Sequence, residues 1–88
     1  MKVFFKESFE RDLKPIRDSK IKNQVKSLIV RTEVAKAVSD IPNIKKLAGG
    51  KNLYRIRLGD YRVGVIVEGQ SITFVRIMHR KEIYRYFP

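Results

Sequence analysis

The chain has no cysteine, which removes a disulfide framework, a thiolate metal site and a cysteine nucleophile together. It has one histidine, His79, so a histidine-cluster metal site is excluded, and its acidic residues show no ligand spacing. No metal and no redox cofactor is implied. Long apolar runs are also missing: Met1-Lys2-Val3-Phe4-Phe5-Lys6 is apolar for three residues before the charges of Lys6 and Glu7, far short of a signal-peptide core or a membrane span. A soluble, cytoplasmic protein with no membrane partner is expected. Its 88 residues suffice for one domain with one small core, residues 1–88.

Negative charge is scarce too. Twenty Lys and Arg against nine Asp and Glu give a net charge of +11, a field that attracts nucleic acid, acidic protein or anionic lipid. The excess runs along the whole chain, with thirteen bases against six acids in residues 1–52 and seven against three in residues 53–88. The kind of base changes, however, from mostly Lys to mostly Arg. Lys suits solvated helix faces, whereas the planar fork of Arg suits bidentate contact with phosphate and stacking on bases. The site is therefore expected after residue 52.

The element order reads β-α-α-β-β-β. Lys2 to Lys6 is a short strand. Ser8 is a candidate N-cap for a helix with Phe9, Leu13 and Ile16 at i, i+4 and i+7, shortened or kinked by Pro15 and ending near Asp18-Ser19. A longer helix follows over about Lys20 to Val38, with Ile21, Val25, Leu28, Ile29 and Thr32 on one stripe. Ser39 to Asn43 and Gly49-Gly50 are turn signals. Strands come next at Leu53–Leu58, Tyr61–Glu68 and Ser71–Met78, with one helical turn between Arg80 and Phe87. The expected fold class is α+β: an amphipathic helical hairpin on a mostly antiparallel, four-stranded twisted sheet, closed by a short C-terminal helical turn.

Gly59-Asp60 between two strands is a type II′ hairpin signal, which sets Leu58 opposite Tyr61, Arg57 opposite Arg62 and Arg55 opposite Gly64. Alternation then puts Arg55, Arg57 and Arg62 on one face and Tyr54, Ile56, Leu58, Tyr61, Val63 and Val65 on the other. Like charges directly opposed across a ladder destabilise it, so the Arg57–Arg62 pair points to an anionic ligand. Extending an unbroken register through Gly69-Gln70 pairs Arg62 with Ile77 and brings His79 and Arg80 near the first turn. It also sets Arg76 on the apolar face, a conflict that a one-residue slip would remove.

Arg55, Arg57, Arg62 and Arg80 can thus clamp a ribose-phosphate backbone, with one guanidinium stabilising charge that develops on phosphate; the plainer alternative is a solvated basic face. His79 is either a proton carrier or a polar strand end. Tyr84, four residues beyond Arg80, shares its face on a helical turn and can stack on a base, while Phe87 reads as a core seal. Arg is a poor proton acceptor, so His79, Glu82 or Tyr84 would have to move protons. Without a metal-ligand set, the feasible nuclease chemistry is attack by an RNA 2′-hydroxyl on its own adjacent phosphate, which DNA cannot undergo.

Tyr54-Arg55-Ile56-Arg57, Gly59-Asp60-Tyr61-Arg62-Val63 and His79-Arg80-Lys81-Glu82-Ile83-Tyr84, with Ile44 to Gly49 before them, together resemble the RelE/ParE superfamily of bacterial and archaeal toxins over nearly the full chain. The resemblance implies a toxin of a toxin–antitoxin system that cuts mRNA in the ribosomal A site, without metal, by 2′-hydroxyl attack. It implies catalytic roles for Arg62, Arg80, Tyr84 and His79, RNA-phosphate contacts from Arg55, Arg57 and Lys81, and a small acidic antitoxin as partner. Arg55 and Arg57 stand where the best-known members carry a lysine pair, which leaves the general base open. The alternatives are a ParE-like toxin that inhibits DNA gyrase and a catalytically silent RNA- or ribosome-binding module.

Overall fold

A computed structural model describes residues 1–88. In chain order its elements are β1 (Lys2–Phe5), α1 (Glu7–Leu13), α2 (Ser19–Val34), β2 (Ile44–Lys46), β3 (Leu53–Leu58), β4 (Tyr61–Glu68), β5 (Ser71–His79) and α3 (Ile83–Tyr86). One sheet runs β1-β5-β4-β3-β2, parallel between β1 and β5 and antiparallel elsewhere. The α+β class and the mostly antiparallel sheet are as the sequence predicts, but the sheet has five strands rather than four. The added strand is β2, where Ile44, Lys45 and Lys46 pair with Ile56, Arg55 and Tyr54. Three residues, two of them Lys, carry almost no strand signal of their own. No helix is long and apolar enough to cross a membrane.

Both helices differ from expectation at their ends. Ser8 is not an N-cap: α1 starts two residues earlier than expected, at Glu7 with Lys6 in the N-cap position, and the Ser8 hydroxyl donates to the Val75 carbonyl. α1 lies against the second half of β5, past the end of β1, and supplies what a neighbouring strand would. Asp12 Oδ2 accepts the Ile77 amide at 3.2 Å, so this stretch of sheet edge is not left unpaired. α2 is capped by Asp18, which accepts the Lys20 amide at 2.9 Å. It stops at Val34, four residues early, because the Asp40 carboxylate accepts the Lys36 and Ala37 amides at 3.0 and 3.3 Å and holds them out of the helix. The Met1 ammonium donates to the Thr32 and Glu33 carbonyls of α2, at 3.2 and 2.9 Å, and to that of the capping Ala35, at 2.8 Å.

The core lies between the helices and one face of the sheet. Phe9, Ile21, Val25 and Leu28 pack on Ile56, Val63, Val65, Ile72, Phe74 and Ile77, all nearly or wholly shielded from water. Phe5, Phe9 and Phe74 form a ring cluster with centroids 5.3–5.8 Å apart, a spacing at which aromatic pairs add to their area burial.

The β3–β4 register is the predicted one, and Gly59 takes φ +62°, which the first central position of its turn requires. The β4–β5 register is not the unbroken one. Glu68 faces Ser71 and Val65 faces Phe74 as expected, but a bulge follows, so Gly64 faces Arg76 and Arg62 faces Met78 rather than Ile77. The extra residue is Val75. Everything after it changes face: Ile77 enters the core and Arg76 leaves it. An unpaired guanidinium in an apolar core would be very costly, and the bulge is how the chain avoids it.

Candidate functional site

The face of the sheet away from α2 carries the arginines. Across the strands, one row is Lys45, Arg55, Gly64 and Arg76, and the next is Arg57, Arg62 and Met78. The C-terminal segment crosses this face. It begins where the Arg80 amide donates to the Asp60 carbonyl at 2.8 Å, next to the hairpin turn. It continues through α3, whose Ile83 is fully buried, and ends with Phe87, 3% exposed, over Gly64. A Cβ on Gly64 would lie 2.5 Å from Phe87 Cγ, so only glycine lets the ring seat there. Phe87 is thus a seal, as the sequence suggests, but of this face and not of the main core.

Arg62 sits at the centre. Its Nη1 donates to the Gly59 carbonyl at 2.9 Å and to the Tyr61 carbonyl at 3.0 Å, which ties the side chain to the turn that positions it. Burial lowers its pKa, as do the neighbouring charges of Arg55, Arg57 and Arg80, while Tyr84 acts in the opposite sense. The five side chains are therefore close enough to feel one another. The direction is that of a guanidinium crowded by like charge, and an anion placed among the four would relieve it. Arg55 is held by the Asn43 carbonyl, 3.1 Å from its Nη1. Arg57, Arg80 and Lys81 are exposed, and Tyr84 is 58% exposed.

His79 does not join this group. It pairs with Tyr61 across the ladder and shares its side of the sheet, with the two rings 6.0 Å apart at 70°. It lines a cleft with Arg11, Asp12, Tyr61 and Glu82, opposite the arginines. Its Nδ1 accepts the Lys81 amide at 3.2 Å, a contact that shapes the turn leading to Arg80 and Lys81. The expectation that His79 converges with Arg62 is corrected by the bulge, which moves the end of β5 by one residue and so turns His79 to the other face.

Arg76 was missed by the sequence reading as a member of this face. Its Nε and Nη2 form a bidentate pair with Asp12, at 2.7 and 3.0 Å, and the guanidinium lies 5.3 Å from the centre of the Tyr86 ring. It therefore ties α1 to α3 and holds the segment that carries Arg80 and Tyr84. The signal was present: an arginine between Phe74 and Met78 on an apparently apolar face marks a bulge.

A five-stranded α+β fold with an arginine face closed by a C-terminal helix defines a small toxin fold, and comparison with known proteins agrees. Residues 3–84 match the family model described as ParE toxin of the type II toxin–antitoxin system parDE. The chain is 43% identical to Toxin RelE3 of Methanocaldococcus jannaschii over 89 residues, covering the whole of both. It superimposes on the RelB–RelE antitoxin–toxin complex from Methanococcus jannaschii with TM-score 0.81 and 39% identity, covering 97% of this chain and 99% of that one. The fold is also that of the archaeal RelE–RelB complex from Pyrococcus horikoshii, at TM-score 0.72 and 23% identity, with 90% and 93% covered. The chain belongs to the RelE/ParE superfamily of toxin–antitoxin toxins.

Proposed function

We propose that the protein is a ribosome-dependent mRNA endonuclease of the RelE type, cutting in the A site by 2′-hydroxyl attack. The observation that carries this reading is Arg62, fixed to the Gly59 and Tyr61 carbonyls among Arg55, Arg57 and Arg80, with the exposed ring of Tyr84 beside them. In the reaction the 2′-oxygen bonds to phosphorus, the bond from phosphorus to the 5′-oxygen breaks, and a 2′,3′-cyclic phosphate remains. One proton leaves the 2′-hydroxyl and one reaches the departing 5′-oxygen.

Arg55 and Arg57 hold the strand, with Lys81 as a further phosphate contact. Arg62 and Arg80 face the non-bridging oxygens, where charge grows in the transition state. Tyr84 is the proton-exchanging side chain on this face and also offers a ring on which a base stacks. His79 and Glu82, across the sheet, support the turn before Arg80 instead. The partner in the resting cell is an antitoxin with an acidic binding segment, drawn to the basic face by long-range attraction.

Inducing the protein alone and mapping RNA ends tests this. Cuts inside translated codons, lost with Arg80→Ala, are expected; growth arrest with intact mRNA defeats it. The match to the ParE family model supports a second reading, inhibition of DNA gyrase. It predicts blocked supercoiling by the purified protein with no cut mRNA.

A further inference from the structure

A second cluster of polar groups lies beside the arginine face, between α2 and β3. A cavity of about 190 Å³ opens there. Gln24, Ser27 and Arg31 descend one side of α2 into it, at i, i+3 and i+7, and Asn43 and Arg57 close the opposite side. Leu28 and Ile56 supply an apolar floor. Three observations bear on what would fill it.

The first is charge. Arg31 and the Arg57 position of β3 line the cavity, no carboxylate lines it, and the one ion pair of the molecule is Arg76–Asp12, elsewhere. An anionic group is therefore favoured. The second is an unmet hydrogen bond: the amide oxygen of Gln24 is buried without a partner, which is unfavourable for a group cut off from water. Rotation of the terminal amide, a broad and soft torsion, turns it toward a donor in the cavity. The third is continuity. Arg57 and Asn43 also line the neighbouring cleft of Lys45 and Arg55 on the arginine face, so Arg57 forms the wall between the two. A chain held by Arg55 and Arg57 would therefore lie next to this opening.

The size is also selective. A cavity of about 150 Å³ holds a benzene ring, so 190 Å³ admits one single-ring base with its phosphate at the mouth and little more. We propose that the cleft between α2 and β3 is a nucleotide subsite. It takes a pyrimidine nucleotide next to the one on the arginine face, with phosphate on Arg31 and Arg57 and the base edge on Gln24 and Ser27. The inference deepens the RNA reading above and rests on it.

The test is titration of the full chain with uridine 5′-monophosphate, followed by backbone amide spectra, with adenosine 5′-monophosphate, inorganic phosphate and acetate as controls. Saturable shifts at Gln24, Ser27, Asn43 and Arg57 are expected, several-fold tighter for the uridine nucleotide than for the adenosine one. Arg31→Ala should weaken binding about tenfold, as loss of a charge-assisted contact does, and Arg31→Lys should weaken it less. Arg31 is exposed on its helix, so its loss should leave the remaining spectrum in place. Unchanged affinity in Arg31→Ala, shifts confined to Arg62 through Tyr84, or acetate matching the nucleotide each overturn the subsite; the last would mark a pocket for a protein carboxylate. If Arg31→Ala weakens the nucleotide while the wild-type chain leaves cellular mRNA intact, the subsite stands and the endonuclease reading falls.

Discussion

The two faces of one sheet do opposite work. Under the helices, Ile56, Val63, Val65, Phe74 and Ile77 are packed to near-complete exclusion of water, and no charge intrudes. On the other side Arg57 and Arg80 are exposed and Arg55 and Arg62 half-buried, and the buried apolar side chains of the C-terminal segment are Ile83 and Phe87. Stability is thus concentrated on one side and the proposed chemistry on the other. The same ladder serves both because side chains alternate, and because one bulge at Val75 restores the alternation where the sequence breaks it.

The separation predicts different failures for the two faces. Phe74→Ala should cost about 3–5 kcal/mol of stability, as removal of a buried ring does, measured by denaturant unfolding, and should abolish activity only through unfolding. Arg62→Ala should do the reverse. Cleavage is expected to fall by about 10²–10³, the cost of losing one donor to a charged transition state, while the melting temperature stays near wild type. If Arg62→Ala instead unfolds the chain, the division between the faces is wrong.

Gly64→Ala joins the two effects. The new methyl would displace Phe87 and with it α3, so we expect a loss of about 1–3 kcal/mol, typical of overpacking, together with reduced cleavage as Arg80 and Tyr84 shift. Asp12→Ala is gentler. It leaves the Ile77 amide and the Arg76 guanidinium without their acceptor, a loss of about 1 kcal/mol, at the low end for unpaired groups because Arg76 and Asp12 keep side-chain exposures of 20% and 10%. Thermal melting measures it, and an unchanged melting point would show that α1 does not hold the edge of β5.

The smallest effect is that of pH. Burial, and after it crowding by Arg55, Arg57 and Arg80, lowers the pKa of Arg62, so the folded chain disfavours its charged form and a bound anion favours it. A guanidinium starts so far above neutrality that it stays protonated regardless. RNA affinity should therefore be flat from roughly pH 6 to 9 where it depends on Arg62, yet fall with salt at a log–log slope of about −0.7 per phosphate neutralised. A fluorescence binding series in both variables checks this, and a marked fall in affinity across that pH range would reassign the anion site to another group.

Much of this was legible in the sequence. Gly59-Asp60 fixes the hairpin, and with it the placement of Arg55, Arg57 and Arg62, because a two-residue turn determines register by itself. β2 was not legible, since Lys45 and Lys46 take their extended form from pairing with β3. The end of α2 was hidden for a similar reason: Asp40 acts across a turn, not through helical periodicity. His79 and Arg76 were placed on the wrong faces by a single unrecognised residue, Val75, and Arg76 alone protested. The cavity beneath Gln24 and Arg31 needed the three-dimensional structure, because its two walls lie in different elements.

Arg62 and Arg76 use the guanidinium in complementary ways. Arg76 spends its Nε and Nη2 edge, the two-pronged side, on Asp12. Arg62 is anchored through Nη1 alone, so that same edge is left free, in the geometry that suits two oxygens of one phosphate. For the proposed RNA contact, the ordering entropy of the side chain is then already settled when the hairpin folds. A lysine here would have to choose between the turn and the phosphate; arginine serves both at once.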